Sequence, residues 1–279
     1  MKMELSVNSD YMGDHGDPEP SLRHISEAGF PYVHWCHHWM GDYIYSYYEV
    51  KKIGRLFEKY HLRLFDLHAT HGIEKYWCST DETSRLSGEE LLLNRIKMTA
   101  DLGGRAIVLH TNVDPLSDIT RARAEKGVRT LTELEPVCRE LGIRIAVENL
   151  FDNGGASSFY DIDRYFAAFP PDYIGFCWDC GHSNMVEQGV ARCKNYMTRL
   201  TILHMNGNHG KRDEHMPIGN GTENWDEIAS MIAGSPYDGA LTQEVNMPAG
   251  SDPLVFLKDV HTRGEAFADK IQKLRESAR

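Results

Sequence analysis

Glu148 stands near the end of the apolar run IRIAVENL (143–150), Asp179 closes YIGFCWD (173–179), and Glu244 lies at the end of ALTQEV (240–245). His204 falls late in LTILHMNG (200–207), His68 in LRLFDLHAT (62–70) and His110 in RAIVLHT (105–111), and His182 follows Asp179 by three residues. A carboxylate inside such a run costs several kcal/mol to bury unless it is paired or metal-bound. Few basic residues are expected beside these acids, Lys211 and Arg212 being the nearest. A divalent cation is the most economical counter-charge. Two Glu, one Asp and one His make a mixed oxygen and nitrogen donor set, which suits Mn²⁺, Co²⁺, Mg²⁺ or Zn²⁺ better than a soft thiophilic ion. Taken singly, each of these residues is as readily a satisfied buried polar group or an exposed loop residue. The argument for a metal rests on the set.

What must position them is a series of short β-rich runs separated by amphipathic stretches. Eight strands are expected, at 4–9, 32–38, 62–70, 105–111, 143–150, 173–179, 200–207 and 240–245, each rich in Val, Ile, Leu or Phe as strands buried on both faces should be. Helical spacing of apolar residues appears at 21–30, 46–60, 88–103, 120–141, 161–169, 224–233 and 254–279, with Asn224 as an expected N-cap. Alternation of this kind implies a parallel sheet with right-handed crossovers, and eight strands close a barrel. The expected fold is therefore a single α/β domain, a (β/α)₈ TIM barrel spanning 1–279. A doubly wound open sheet is the alternative, weakened by the lack of GxGxxG after the first strand. In a parallel barrel the C-terminal strand ends form the active site, and there the acids and histidines fall.

The 279 residues suit one barrel of about 250 residues with a few long loops. No apolar run approaches the roughly 18 residues of a membrane span, and the N-terminus lacks the apolar core of a signal peptide, so a cytoplasmic location is expected. Six scattered cysteines are too few for a disulfide framework, and Cys177 and Cys180, a lone CxxC, read as reduced and mostly buried thiols. A net charge of −11 argues against nonspecific nucleic-acid binding.

Four segments resemble the xylose-isomerase-like TIM barrels, the sugar phosphate isomerase/epimerase group related to AP endonuclease family 2: IAVENL (145–150), GFCWDCGH (175–182), LHMNGNHGKRDEHMPIGNGTENW (203–225) and LTQEVN (241–246). The third is the most specific: a strand-7 His, then Asp-x-His, then Pro-x-Gly-x-Gly and Trp. The resemblance implies one divalent metal on Glu148, Asp179, His204 and Glu244. It also implies Glu148 and Glu244 as acid and base, and His182 touching substrate oxygens. Such a site isomerises or epimerises a sugar by moving a proton next to a metal-polarised carbonyl.

Endonuclease IV, in the same group, holds three zinc ions through nine ligands. His68, His110, Glu148, Asp179, His182, His204, Asp213, His215 and Glu244 match those types, so a trinuclear phosphodiesterase acting on abasic DNA is the rival reading. Two departures count against it. His68-Ala-Thr-His71 replaces the family's HxxY, and Asn206-Gly207-Asn208-His209 replaces Asn-Asp-Ser-Lys. A lyase or dehydratase, or a non-catalytic subunit of a carbohydrate-processing complex, is a further alternative. The expected partner is a small carbohydrate, with a homo-oligomer open and nucleic acid not expected. Trp35, His38 and the aromatic stretch 39–48 are expected to wall the pocket or to form a satellite core. Lys211 and Arg212 are candidates to meet a phosphate, or are solvated loop charges.

Overall fold

The computed structural model describes residues 2–13, 16–72 and 74–278. Its centre is an eight-stranded parallel sheet in the order β7-β6-β5-β4-β3-β2-β1-β8. The strands are β1 (Leu5–Asn8), β2 (Tyr32–Trp35), β3 (Arg63–His68), β4 (Ala106–His110), β5 (Arg144–Glu148), β6 (Ile174–Asp179), β7 (Leu200–His204) and β8 (Leu241–Gln243). The seam between β7 and β8 is drawn together by a bridge from Met205 to Gln243, with Met205 N–H donating to Thr242 O at 2.9 Å. The expected barrel is thus the observed one. No helix of the described residues is long and apolar enough to cross a membrane.

Alternation decides what each strand shows to the inside. Phe65, Ala106, Val108, Ala146, Cys177, Ile202 and Ala240 form a compact cluster of their own, with Tyr32 packed against it. This is the plug at the closed end of the barrel, and small side chains dominate because eight strands leave little room. Two residues further along each strand the inward positions become His110, Glu148, Asp179 and His204, so the same register that packs the plug delivers polar groups to the mouth. The outward-facing set, including Leu67, Ile107, Leu109, Ile145, Val147, Phe176 and Trp178, packs into the larger core beneath the helices.

Helices α1 (Glu19–Glu27), α2 (Tyr47–Lys59), α3 (Glu82–Asp101), α4 (Asp118–Leu141), α5 (Ala156–Ala168), α8 (Trp225–Ala233) and α9 (Pro253–Ser277) cover the sheet, with the short α6 (Cys180–Asn184) and α7 (Gly189–Cys193) between β6 and β7. Local caps explain several boundaries. Ser46 and Glu49 form a capping box on α2, and Asn224 caps α8 as expected. The sequence reading assigned no helix between β6 and β7, since those two five-residue turns carry no apolar periodicity. It also began α3 at Gly88, six residues late. The helix in fact starts at Glu82, with Asp81 capping Ser84 N–H, and Gly88 lies inside it.

Gly88 is interior because α3 runs against the chain at Trp77. Alanine normally exceeds glycine in a helix interior by about 1 kcal/mol. A Cβ at position 88, however, would stand 2.4 Å from the Trp77 backbone nitrogen, and backbone cannot yield. Gly88→Ala is therefore expected to cost about 1–3 kcal/mol and to lower the thermal midpoint. A raised midpoint on thermal melting would show that helix propensity outweighs the clash.

Candidate metal centre

His68, His110, Glu148, Asp179 and His204 are each the last residue of their strand, β3 to β7 respectively, and Glu244 follows β8 by one residue. Their side chains meet at the mouth. His204 Nδ1 lies 2.9 Å from Glu148 Oε1 and 3.0 Å from Glu244 Oε2. His110 Nε2 is 3.3 Å and His68 Nε2 3.7 Å from Glu148 Oε2, and the two Nε2 atoms are 3.0 Å apart. His182 Nδ1 stands 3.6 Å from Glu148 Oε1 and 3.8 Å from Asp179 Oδ1. His182 Nε2 and His215 Nε2 share Asp213 Oδ2 at 3.3 and 2.9 Å. All nine residues expected as ligands of one or three metals therefore come together. Among the described residues none of these acids meets an Arg or a Lys, and histidines stand against each of them.

The loops and turns that hold these groups are specific. Asp179 caps the five-residue α6, its Oδ1 accepting from His182 N–H at 2.7 Å, and its Oδ2 accepts from Asn206 Nδ2 at 2.8 Å. Asn149 clamps the Asp179 backbone, donating to its carbonyl and accepting from its N–H. Gly181 is what lets Asn206 in: a Cβ there would lie 1.9 Å from Asn206 Oδ1. His215 sits at a φ of 48°, the left-handed region, and its Nδ1 meets the Glu244 backbone oxygen at 2.9 Å. A non-glycine residue held there by surrounding contacts is typical of functional sites.

The electrostatics follow from burial and from these neighbours. Burial alone would raise the Glu148 carboxyl, but the imidazoles of His204, His110 and His68 hold it well below the usual carboxylate range. Glu244 is likewise held low against its burial, chiefly by His204 and His215. Asp179 is pushed up to about 6 by burial and by the charges of Glu148 and Glu244, with His182 and His215 opposing. His204 is raised well above its ordinary value, as the acids and Cys177 outweigh its burial, whereas burial brings His110 down to about 4.

Among the described residues Glu148 Oε2 and His204 Nε2 are buried with no well-directed hydrogen bond, although His110 Nε2 stands 3.3 Å from the former. Three buried or nearly buried carboxylates and a histidine thus face one another with donor capacity unspent. The set of Glu148, Asp179, His204 and Glu244 fits a borderline or hard divalent cation by donor chemistry.

The four positions expected to line the pocket divide. Trp35 is not at the mouth: alternation turns His34 into the barrel and Trp35 outward, where it packs on Phe57 and Tyr45 and donates to Tyr45 Oη at 2.9 Å. Lys211 and Arg212 are exposed on the loop after β7. His38, with a φ of 59°, stacks on Tyr43 at 4.1 Å, and both line a cavity of 760 Å³ with Asp10, Trp39, Asp42 and Asn246. Trp39 joins that cavity to the centre, its ring 4.7 Å from His68 and 5.2 Å from His110. Phe151 stands against His182 at 5.1 Å. The aromatic stretch is therefore split: Tyr45 belongs to the core, Trp39 and Tyr43 to the mouth, and Tyr47 and Tyr48 to solvent. All six cysteines are buried free thiols.

Sequence reasoning missed the fully buried pair His34 and Asp66, whose Nδ1 and Oδ2 are 2.7 Å apart. The signal was present. Asp66 interrupts the apolar run LRLFDLH two residues before His68, on the same strand face, as Glu148 interrupts IAVENL. It also missed the asparagines, for which alternation offered no sign.

A family profile described as "Xylose isomerase-like TIM barrel" matches residues 22–276. The y4fM protein of Sinorhizobium fredii, itself described as uncharacterized, is 28% identical over 285 aligned residues, covering 93% of this chain and 90% of that protein. Among solved structures, a D-tagatose 3-epimerase-like protein superposes with a TM-score of 0.78 at 19% identity, covering 99% of this chain and all of the other. An L-ribulose 3-epimerase does so with a TM-score of 0.77 at 15% identity, covering 100% and 97%. At such identities these superpositions establish the fold.

Two expectations follow from the geometry. Gly181→Ala should displace Asn206 from Asp179 and weaken Mn²⁺ or Co²⁺ binding roughly 10-fold or more, the usual scale for losing an outer partner of a ligand. Unchanged affinity in isothermal titration would remove Asn206 from the centre. Metal affinity should also climb with pH. Asp179, pushed up to about 6, is protonated below that pH, and His204, with its pKa raised, carries a proton to still higher pH. Both must release protons to bind. A dissociation constant flat between pH 5 and 8 would contradict this.

Proposed function

The chain belongs to the xylose isomerase-like TIM barrel family, and from that premise we propose that it is a divalent-metal-dependent sugar epimerase or isomerase. One observation carries the reading: Glu148 and Glu244 converge on the same His204 Nδ1, at 2.9 and 3.0 Å, from either side of β7, Glu148 ending β5 and Glu244 following β8. Two carboxylates facing one locus can serve the two faces of a substrate carbon. The neighbouring folds that are named as 3-epimerases of D-tagatose type and of L-ribulose support the same chemistry.

Glu148, Asp179, His204 and Glu244 would hold the metal. When bound, it would polarise a substrate carbonyl and so acidify the adjacent C–H. The protein's own residues account for the rest. A carboxylate oxygen of Glu244, 13% exposed and the more open of the two, takes the proton. Glu148, 1% exposed, relays one to the other face from the His68 imidazole, which lies 3.7 Å from its Oε2 and whose pKa is raised there despite burial. His182, fixed by Asn149 O at 2.9 Å and by Asp213, points its ring at the substrate's hydroxyl side. Trp39 and Phe151 exclude water from the two flanks. The lining of the adjoining cavity by Asp10, Asp42, Trp39, Tyr43 and Asn246 suits an uncharged polyol.

A second reading has its own observation. Besides the central set, donor atoms of His68, His110 and Glu148 lie within 4.8 Å of one another, as do those of His182, Asp213 and His215. Three adjacent donor groups, the first two sharing Glu148, fit an endonuclease IV-like trinuclear zinc phosphodiesterase.

Glu148→Gln is expected to lower kcat by roughly 10²–10⁴-fold, the usual contribution of a general acid or base. The readout is deuterium incorporation from D₂O into a panel of unphosphorylated ketoses. Retained incorporation would end the acid/base role. Elemental analysis separates the two readings. About one divalent metal per chain, little changed in His68→Ala and His110→Ala, agrees with the epimerase. Three zinc ions per chain, lost in those variants together with cleavage of abasic DNA, would replace it with the hydrolase.

A further inference from the structure

Below the ligand layer and above the apolar plug lies a second polar layer that the metal chemistry does not use. It consists of Ser6 on β1, His34 on β2, Asp66 on β3 and Thr242 on β8, all fully buried. His34 and Asp66 are joined at 2.7 Å. The remaining polar atoms of the layer, Ser6 Oγ, His34 Nε2, Asp66 Oδ1 and Thr242 Oγ1, have no hydrogen-bond partner. An ionisable pair in this position has a cost that the fold retains.

The layer meets the ligand set at Glu244, whose Oε1 lies 3.9 Å from His34 Nε2, and at His204. The His34 ring lies 4.5 Å from that of His204, and ligand-capable atoms of His34, Asp66 and His204 all fall within 4.8 Å of one another. His204 presents Nδ1 to Glu148 and Glu244. A neutral imidazole that gives Nδ1 to a metal carries its proton on Nε2. Among the described residues that Nε2 is buried and unpartnered, and an N–H without an acceptor in such a place is destabilising. Asp66 Oδ1, equally buried and unpartnered, is the carboxylate at hand.

We propose that Asp66 is the positioning residue for His204. It accepts the Nε2 proton when Nδ1 holds the metal, and His34 keeps the Asp66 carboxyl in place by occupying its other oxygen. This is a carboxylate–histidine–metal relay built across the barrel interior, from β3 to β7. Such partners fix the tautomer and the orientation of a ligand ring and raise its basicity. The arrangement also accounts for His34. With one face of Asp66 taken, the carboxyl cannot turn away from His204. The inference rests on the metal-dependent reading and adds the residue that prepares its nitrogen ligand.

The test is titration of metal-free protein with Mn²⁺ or Co²⁺, together with thermal melts of metal-free and metal-loaded protein. Asp66→Leu, of similar shape, is expected to weaken binding roughly 10–100-fold. Its metal-free melting temperature should fall, because His34 Nδ1 then lies buried without its partner, so binding is read well below the melt. Asp66→Asn, which keeps an acceptor oxygen and folds on volume grounds, is expected to recover part of the affinity. The stabilisation conferred by metal should shrink in the same order. A merely structural role would lower the metal-free melting temperature and leave the dissociation constant unaltered. Equal affinity in wild type and Asp66→Asn, with Asp66→Leu either equal or unfolded, would overturn this inference alone. Failure of the wild-type chain to bind any divalent cation would overturn the metal reading and this inference with it.

Discussion

The rest of this molecule is arranged around the mutual repulsion of three carboxylates. Glu148 and Asp179 are brought to one point by strand ends that pairing holds in register, and Glu244 follows β8 directly, its N–H donating to Met205 O at 3.2 Å. Like charges in a low-dielectric site raise one another's cost steeply. The structure answers with imidazoles, of which His204, His68, His110, His182 and His215 stand within 4 Å of at least one of the three acids. Lysine and arginine are kept outside. The choice has a chemical consequence. Histidine can surrender its proton and become a ligand, so the same groups that offset the acids can accommodate a cation.

That constraint explains the architecture of the layers. The closed end is filled with alanine, valine and isoleucine, which need no partners and leave no room for water. Polar groups begin only where the strands approach their C-terminal ends, and then at every inward position. The transition is abrupt because the period of a strand is two residues. Ala146 is followed inward by Glu148, Cys177 by Asp179, and Ile202 by His204. The turn chemistry is subordinate to this. Gly181 gives up its side chain so that Asn206 can reach Asp179, and His215 accepts a left-handed backbone so that its ring can face Asp213.

The mouth is asymmetric, and the asymmetry bears on the substrate. One wall is aromatic, made by Trp39 over His68 and His110 and by Phe151 beside His182. The adjoining cavity carries acids and an asparagine, while Lys211 and Arg212 lie in solvent. Sugar rings present apolar C–H faces and a fringe of hydroxyls, and this pairing of flat aromatic and polar acceptor surfaces is complementary to them. The barrel is the family's fold.

The barrel, its eight strands and the residues at their C-terminal ends were legible in the amino-acid sequence, because each depends on short-range regularities. Apolar runs of strand length mark buried strands, and a carboxylate or histidine late in such a run must project at one rim once the strands are parallel. The same reasoning applied to LRLFDLH would have exposed Asp66, and applied to YVHW would have turned Trp35 outward and His34 in. Those errors were failures to carry alternation through every strand. Other features lay beyond local pattern. Whether Gly88 ends or interrupts a helix depends on the approach of Trp77, eleven residues earlier in the chain. Whether Lys211 and Arg212 meet the acids depends on the path of a loop. That His204 faces Glu148 and Glu244 at once, with Asp66 behind it, depends on closing β7 against β8. The sequence alone determined which groups arrive at the rim, since a strand's period is intrinsic to the backbone. Only the tertiary structure decided which of them touch, since contacts across a barrel are set by register and closure over separations of up to two hundred residues.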